Sequence, residues 1–208
     1  MVLFSLFAVP LLCTFLVSLK NPDRERMRES WILFAKGALS FVPAYIIFAI
    51  IRNTFPLTFT KAGIYFYYLF YDGLLFAAMG VAAYLIVHGI SWKSDRGGMS
   101  EVFVFLSGYY TFNTVLEIIR HYGAYNSYVL FYYPATQLTI ILGLSLVVAR
   151  MRVTDGSGRI TFLLAGIAVV AATALVPLLF ILHYFLFATL ASVVLFIVAV
   201  FPYVLLSV

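Results

Sequence analysis

Charge is scarce in this chain. Of its 208 residues only 10% are Asp, Glu, Lys or Arg, while 64% are hydrophobic. Soluble domains are nearer half apolar and a quarter charged. A mean hydropathy of +1.07 exceeds what a soluble core of this size can hide, so lipid must solvate much of the surface. Cysteine is nearly absent. The single Cys13 excludes an intrachain disulfide and any metal site built on paired cysteines; it reads as a small apolar residue of the first hydrophobic run. Long loops are missing as well. The longest is about a dozen residues and no GxxxxGK[ST] occurs, so ATP-driven work would need a separate ATPase chain. The net charge of +5 sits in short loops rather than in a basic-aromatic patch, so no nucleic acid partner is expected. There is no internal repeat and no soluble domain. The chain reads as one all-α integral membrane domain, 1–208.

Seven apolar runs come close to the roughly 20 helical residues that cross a bilayer core of about 30 Å. They are 2–19, 31–51, 62–87, 101–119, 128–149, 160–182 and 185–207. The first lacks a basic n-region and a small-residue cleavage site, and Leu12 precedes Cys13 where a lipoprotein site wants a small residue. It is expected to be a retained span. The last 49 residues are too long for one crossing, and a tight hairpin is expected near His183 and Tyr184. Six spans result if that stretch makes one crossing plus a re-entrant element. Nine Lys and Arg fall in the loops after spans one, three and five, against Arg52, Lys61 and Arg120 on the other side. That bias predicts an N-terminus outside and a cytoplasmic C-terminus. Short loops and unpaired cysteine suit a bacterial cytoplasmic (inner) membrane.

Polar groups inside spans are costly and mark function or interhelical contact. On a helix Ser107, Tyr110, Asn113, Thr114, Glu117 and His121 recur at three- and four-residue steps and share a face, with Arg120 at its edge. In span three Tyr65, Tyr68 and Asp72 share a face, and Asp72 lies about 15 Å below the outer edge at 1.5 Å per residue. Gly73 beside it also suits close helix packing. Span five brings Tyr128, Tyr132, Tyr133 and, one turn deeper, Gln137. These three helices converge in the outer half of the membrane, which predicts a tyrosine-lined cavity open to the extracytoplasmic side. Lys36 either snorkels or serves a buried ion pair with a carboxylate such as Asp72, and Arg120 or His121 is spaced to pair with Glu117. Tyrosines off these faces read as an aromatic belt. Spans one, six and seven carry few polar groups; they are expected to face lipid or a further membrane subunit, leaving spans two to five as the working bundle.

The leading expectation is a small membrane transport component that binds a small solute or protons at Asp72, Tyr68, Tyr65, Asn113, Glu117, His121, Gln137 and Tyr110. Its partners would be membrane lipid, the small-molecule solute and another membrane subunit or ATPase. A second reading is a non-catalytic accessory subunit of a larger complex, with the polar faces acting as interhelical glue. A third is a membrane-embedded hydrolase or lipid-modifying enzyme using Glu117 and His121. No nucleophile motif or second histidine-carboxylate cluster supports it, so no catalytic residue, cofactor or metal is expected. Glu117 and His121 are spaced to share a metal, but no HExxH or second ExxxH accompanies them.

Overall fold

A computed structural model of the chain describes residues 24–54, 60–88, 98–120 and 132–206, the side chains of 24–26, 61, 88, 115–120 and 202–206 excepted. The first apolar run, Cys13, His121 and Tyr128 lie outside the described residues. Among them every regular element is helical: α1 Arg24–Thr54, α2 Lys61–Tyr67, a π-helical segment Tyr68–Leu75, α3 Phe76–His88, α4 Met99–Arg120, α5 Tyr133–Val153, α6 Ser157–Thr173, α7 Leu175–Ile181 and α8 Phe185–Leu206. Four stretches among the described residues are long and apolar enough to cross a membrane: Met27–Thr54, Ala62–Val87, Tyr133–Val153 and Ser157–Ile181. A shorter apolar helix covers Phe185–Phe201. These are the lengths and compositions of an integral membrane protein.

The exterior is greasy and the interior is partly polar. Leu39, Ile46 and Ile50 of α1, Leu164 of α6 and Leu186, Val194 and Val198 of α8 are exposed, whereas Ser107, Thr111, Thr114, Thr136, Gln137, Thr139 and Ser145 are buried. That inversion is what lipid as solvent demands, because a hydroxyl or amide facing hydrocarbon has no partner. Most of these hydroxyls turn back onto their own helix. Thr111 donates to the Ser107 carbonyl at 2.7 Å, Thr114 to Tyr110 at 3.0 Å, Thr139 to Ala135 at 2.8 Å and Ser145 to Ile141 at 2.6 Å. The bonds cost no tertiary partner and keep the helices intact.

α5 is the central helix. From Thr136 to Val148 nearly every residue is buried, and it packs against α4, α6 and α8. The most extensive contact is between α1 and α4, and it rests on two glycines. A Cβ at Gly37 would stand 2.0 Å from the Phe105 carbonyl oxygen, and one at Gly108 would stand 2.1 Å from that of Phe34. Each Cα therefore lies against the backbone of the opposite helix, close enough for reciprocal Cα–H···O contacts worth about 0.5–1 kcal/mol each. Beside this seam Phe41, Phe76 and Tyr109 close an aromatic triangle with centroids 4.9–5.8 Å apart.

Several elements depart from the sequence expectation. α1 begins at Arg24, so most of the charged segment expected as a loop before Trp31 is helical. RERMRES holds strong helix formers and Glu–Arg pairs three apart, which support a helix before the apolar run begins. α5 likewise runs to Val153, putting Arg150 and Arg152 in its last turn, where cations complement the helix dipole. The turn that follows is fixed by Arg159, whose guanidinium donates to the Thr154 carbonyl at 2.7 Å and pairs with Asp155 at 2.8 Å. The apolar stretch Ser157–Ile181, expected as the sixth span, is broken between Thr173 and Leu175. Pro177 explains the break: its ring crowds the carbonyl four residues back, Thr173, and it has no N–H to give that carbonyl. The hairpin falls where the sequence places it. Tyr184 N–H donates to the Leu179 carbonyl at 2.9 Å and His183 N–H to Phe180 at 3.0 Å, with His183 at φ 63°. That is a Schellman cap with histidine in the left-handed position usually held by glycine.

Candidate functional site

Two helix irregularities face each other across one small cavity. On one side is the π-helical segment, which contributes Tyr68, Asp72 and Gly73. On the other is the α6–α7 break, which contributes Thr173, Ala174 and Pro177. α5 closes the third side with Tyr133, Thr136, Gln137 and Ile140. The cavity holds about 30 Å³ of space, room for a water-sized occupant or two and far below the several hundred cubic ångströms of a drug-sized pocket.

The π segment explains how one helix serves both a core and a cavity. Its extra residue per turn shifts the face presented on either side of it. Tyr71 and Phe76 turn to the aromatic core, where Tyr71 meets Phe48 at 6.3 Å and Phe76 meets Tyr110 at 5.1 Å. Tyr68 and Asp72 line the cavity instead. Gly73 sits against Val170 of α6, so close that a Cβ would be 2.6 Å from the valine methyl.

Two of the lining hydroxyls have spent their protons on their own helix. Thr136 has given its proton to the Tyr133 carbonyl and Thr173 to the Val170 carbonyl, both at 2.8 Å. Each hydroxyl therefore turns only lone pairs outward. Gln137 is 7% exposed, and its Oε1 has no hydrogen-bond partner among the described residues. An unmet buried acceptor costs about 1–3 kcal/mol, so this atom is a cost unless something binds there. Asp72, half-buried, is the one charged side chain among the cavity's described lining residues. Tyr133 accepts a hydrogen bond from Asn113 Nδ2 at 2.8 Å, which links α4 to the wall.

The sequence-derived residues separate as follows. Tyr68, Asp72 and Gln137 line the cavity. Asn113 stands one hydrogen bond behind it. Tyr65 donates to the Ala171 carbonyl at 3.3 Å, one turn from the α6–α7 break but outside the cavity wall. Tyr110 is fully buried in the aromatic core, not on the wall, and its hydroxyl and Ser107 Oγ have no partner among the described residues. Lys36 is exposed on α1, beside exposed Ile32 and Leu39. For Lys36 that exposure fits snorkelling rather than a buried ion pair. The side chains of Glu117 and Arg120, and all of His121, lie outside the described residues.

Sequence reasoning missed Thr136, Thr173 and Pro177. It gave the sixth span to lipid or a further membrane subunit, whereas α6 and α7 supply a cavity wall and α1 does not. The signal was present: a threonine four residues before a proline inside an apolar run marks a broken helix with a polar group at the break.

A second polar group lies at the opposite end of the bundle. The Arg152 guanidinium sits 5.0 Å from the centroid of the Tyr84 ring, and the charges of Arg152 and Glu101 both act on Tyr84. It brings charge from the ends of α4 and α5 to the end of α3. Among the described residues no group of three or more His, Cys, Asp or Glu could hold a metal ion. Comparison of the chain with protein-family models, with curated proteins and with solved structures finds no match.

Proposed function

We propose that the chain is a small membrane transport component that binds a proton or a water-sized solute between the π segment, α5 and the α6–α7 break. One observation carries this reading. A carboxylate within an apolar helix, Asp72, shares a cavity with Gln137, whose Oε1 has no partner among the described residues. Intramembrane carboxylates with polar neighbours mark ion and proton paths, and interrupted helices at mid-membrane frame the sites of many carriers. The cavity's size argues against a vitamin-sized solute.

The finer topology belongs to the same proposal. The run 2–19 is the first of seven spans, the N-terminus is outside and the C-terminus cytoplasmic, in a bacterial inner membrane. Nine against three Lys and Arg support that orientation. With it, the cavity opens toward the extracytoplasmic half. A separate ATPase or membrane subunit would supply energy if the flux is driven.

The test is flux through the purified chain in liposomes with an internal pH-sensitive dye. An imposed proton gradient should collapse at least tenfold faster than in empty vesicles, and Asp72→Asn should abolish the difference at equal protein incorporation. Wild-type vesicles that match empty ones, for protons and for alkali ions alike, would overturn the transport reading and favour an accessory subunit.

A further inference from the structure

We infer that the exposed face of α1 binds an anionic phospholipid, with the lipid phosphate held at Lys36; this rests on the membrane reading alone and is independent of transport. Lys36 is the only charged residue in the run 31–51. It lies within Met27–Thr54, a stretch long and apolar enough to cross a membrane. Its side chain is exposed, and among the described residues it has no ion-pair partner. A cation on a lipid-facing helix is costly unless an anion or the interface meets it. The anion available along such a surface is a headgroup phosphate.

The geometry of α1 brings that phosphate within reach. Helical side chains lean toward the N-terminus, so the Lys36 amine is carried back toward Ile32 and Arg28. These stand about one and two turns away on the same face, and both are exposed. Trp31 precedes Lys36 by about 7.5 Å along the axis, and indoles of this kind sit at headgroup level. A lysine stem spans that distance while it lies on apolar surface. Beyond Lys36 the same face continues through Leu39, Ile46 and Ile50, each more than half exposed. It offers an acyl chain a continuous apolar track.

Charge selects the headgroup. Arg28 and Lys36 together present two positive charges to one phosphate. In a zwitterionic lipid the headgroup ammonium would be set against Arg28, whereas phosphatidylglycerol carries no such cation. Glu29 is exposed as well, but adjacent helical residues do not share a face. A second copy of the chain would have to bring a carboxylate to the level of Lys36. The exposed carboxylates among the described side chains, Glu29 and Asp155, lie near helix ends.

The experiment is native mass spectrometry of the purified full chain, released from micelles that contain equimolar phosphatidylglycerol and phosphatidylcholine of matched acyl chains. The wild type should retain phosphatidylglycerol over phosphatidylcholine by about tenfold or more, and Lys36→Met or Arg28→Gln should each lower that preference roughly fivefold. Lys36→Arg keeps the charge and should keep the preference. Arg150→Gln, which removes an exposed cation from α5, should keep it too. Lys36→Met only adds apolar surface, so its unfolding midpoint without added lipid should match the wild type. Equal retention of the two lipids by the wild type, or a preference unchanged in Lys36→Met, would overturn the inference. A dimer that forms without lipid preference and dissociates in Lys36→Met would overturn it as well, and would give the face to a second copy.

Discussion

The helix pair α1–α4 and the pair formed by the π segment and α7 solve opposite problems with the same apolar alphabet. α1 and α4 are regular, and they touch backbone to backbone through Gly37 and Gly108. Aromatic rings fill the space beside them. The π segment and α7 are irregular and leave a cavity between them, edged by Asp72, Gln137 and Thr173. In lipid, burial of apolar surface gives helices little reason to associate; close packing does. A molecule that needs a polar cavity must therefore secure its stability elsewhere, and the glycine seam is where it does so. The difference teaches that the seam should fix stability and the cavity should fix ligand response, with little exchange between them.

The seam gives the largest predicted effect. Gly108→Ala or Gly37→Ala drives a Cβ into a carbonyl of the facing helix, where no side chain can move aside. The helices must separate, and the loss is expected to be about 3 kcal/mol or more. Unfolding midpoints in detergent check this. A midpoint within a degree or two of wild type would break the comparison, because the seam would then be no tighter than the rest.

Pro177→Ala sharpens the other side. The new N–H can reach the Thr173 carbonyl and join α6 to α7, so stability is expected to hold or rise by about 1 kcal/mol. The cavity loses the break that forms one of its walls, so the Asp72-dependent proton flux should fall. A variant that keeps both the broken helix and the flux would show that something other than Pro177 sets the break.

The uneven legibility of the sequence follows the same division. The membrane class was plain because composition alone decides it. Tyr68, Asp72 and Gln137 were legible as neighbours because residue counts fix depth along a helix, and equal depth brings them to one level. The aromatic role of Tyr110 was not, since a stripe at helical spacing says which residues share a face but not what that face meets. The π segment was hidden because it depends on packing against α1 and α6, not on local propensity. Gly37 and Gly108 stand singly in their helices, with no small residue four apart to announce a contact.

Tyr110 offers a smaller test. Its hydroxyl is buried without a partner among the described residues, so Tyr110→Phe should raise stability by about 1 kcal/mol. Tyr109 differs: its hydroxyl donates to the Phe76 carbonyl at a long 3.4 Å, so Tyr109→Phe should cost no more than about 0.5 kcal/mol. Chemical unfolding of the two variants side by side reads the contrast. A destabilised Tyr110→Phe would mean that the hydroxyl does have a partner, and that the seam side is less dry than its aromatics imply.

The smallest effect belongs to His183. Its φ of 63° costs a residue with a Cβ about 1 kcal/mol that glycine does not incur, while glycine loses part of that through the greater freedom of its unfolded chain. The imidazole also meets the Phe185 ring edge-on at 5.7 Å, a contact that glycine would lose. His183→Gly should therefore raise stability by about 0.5 kcal/mol at most, and His183→Ala, which keeps the strain and loses the ring, should fall below wild type. Thermal midpoints of all three rank the two contributions. If glycine falls below alanine, backbone strain is not what His183 brings to this turn. The irregularity on the cavity side would then reach no further than the π segment and Pro177, leaving the α7–α8 hairpin as regular in its energetics as the seam.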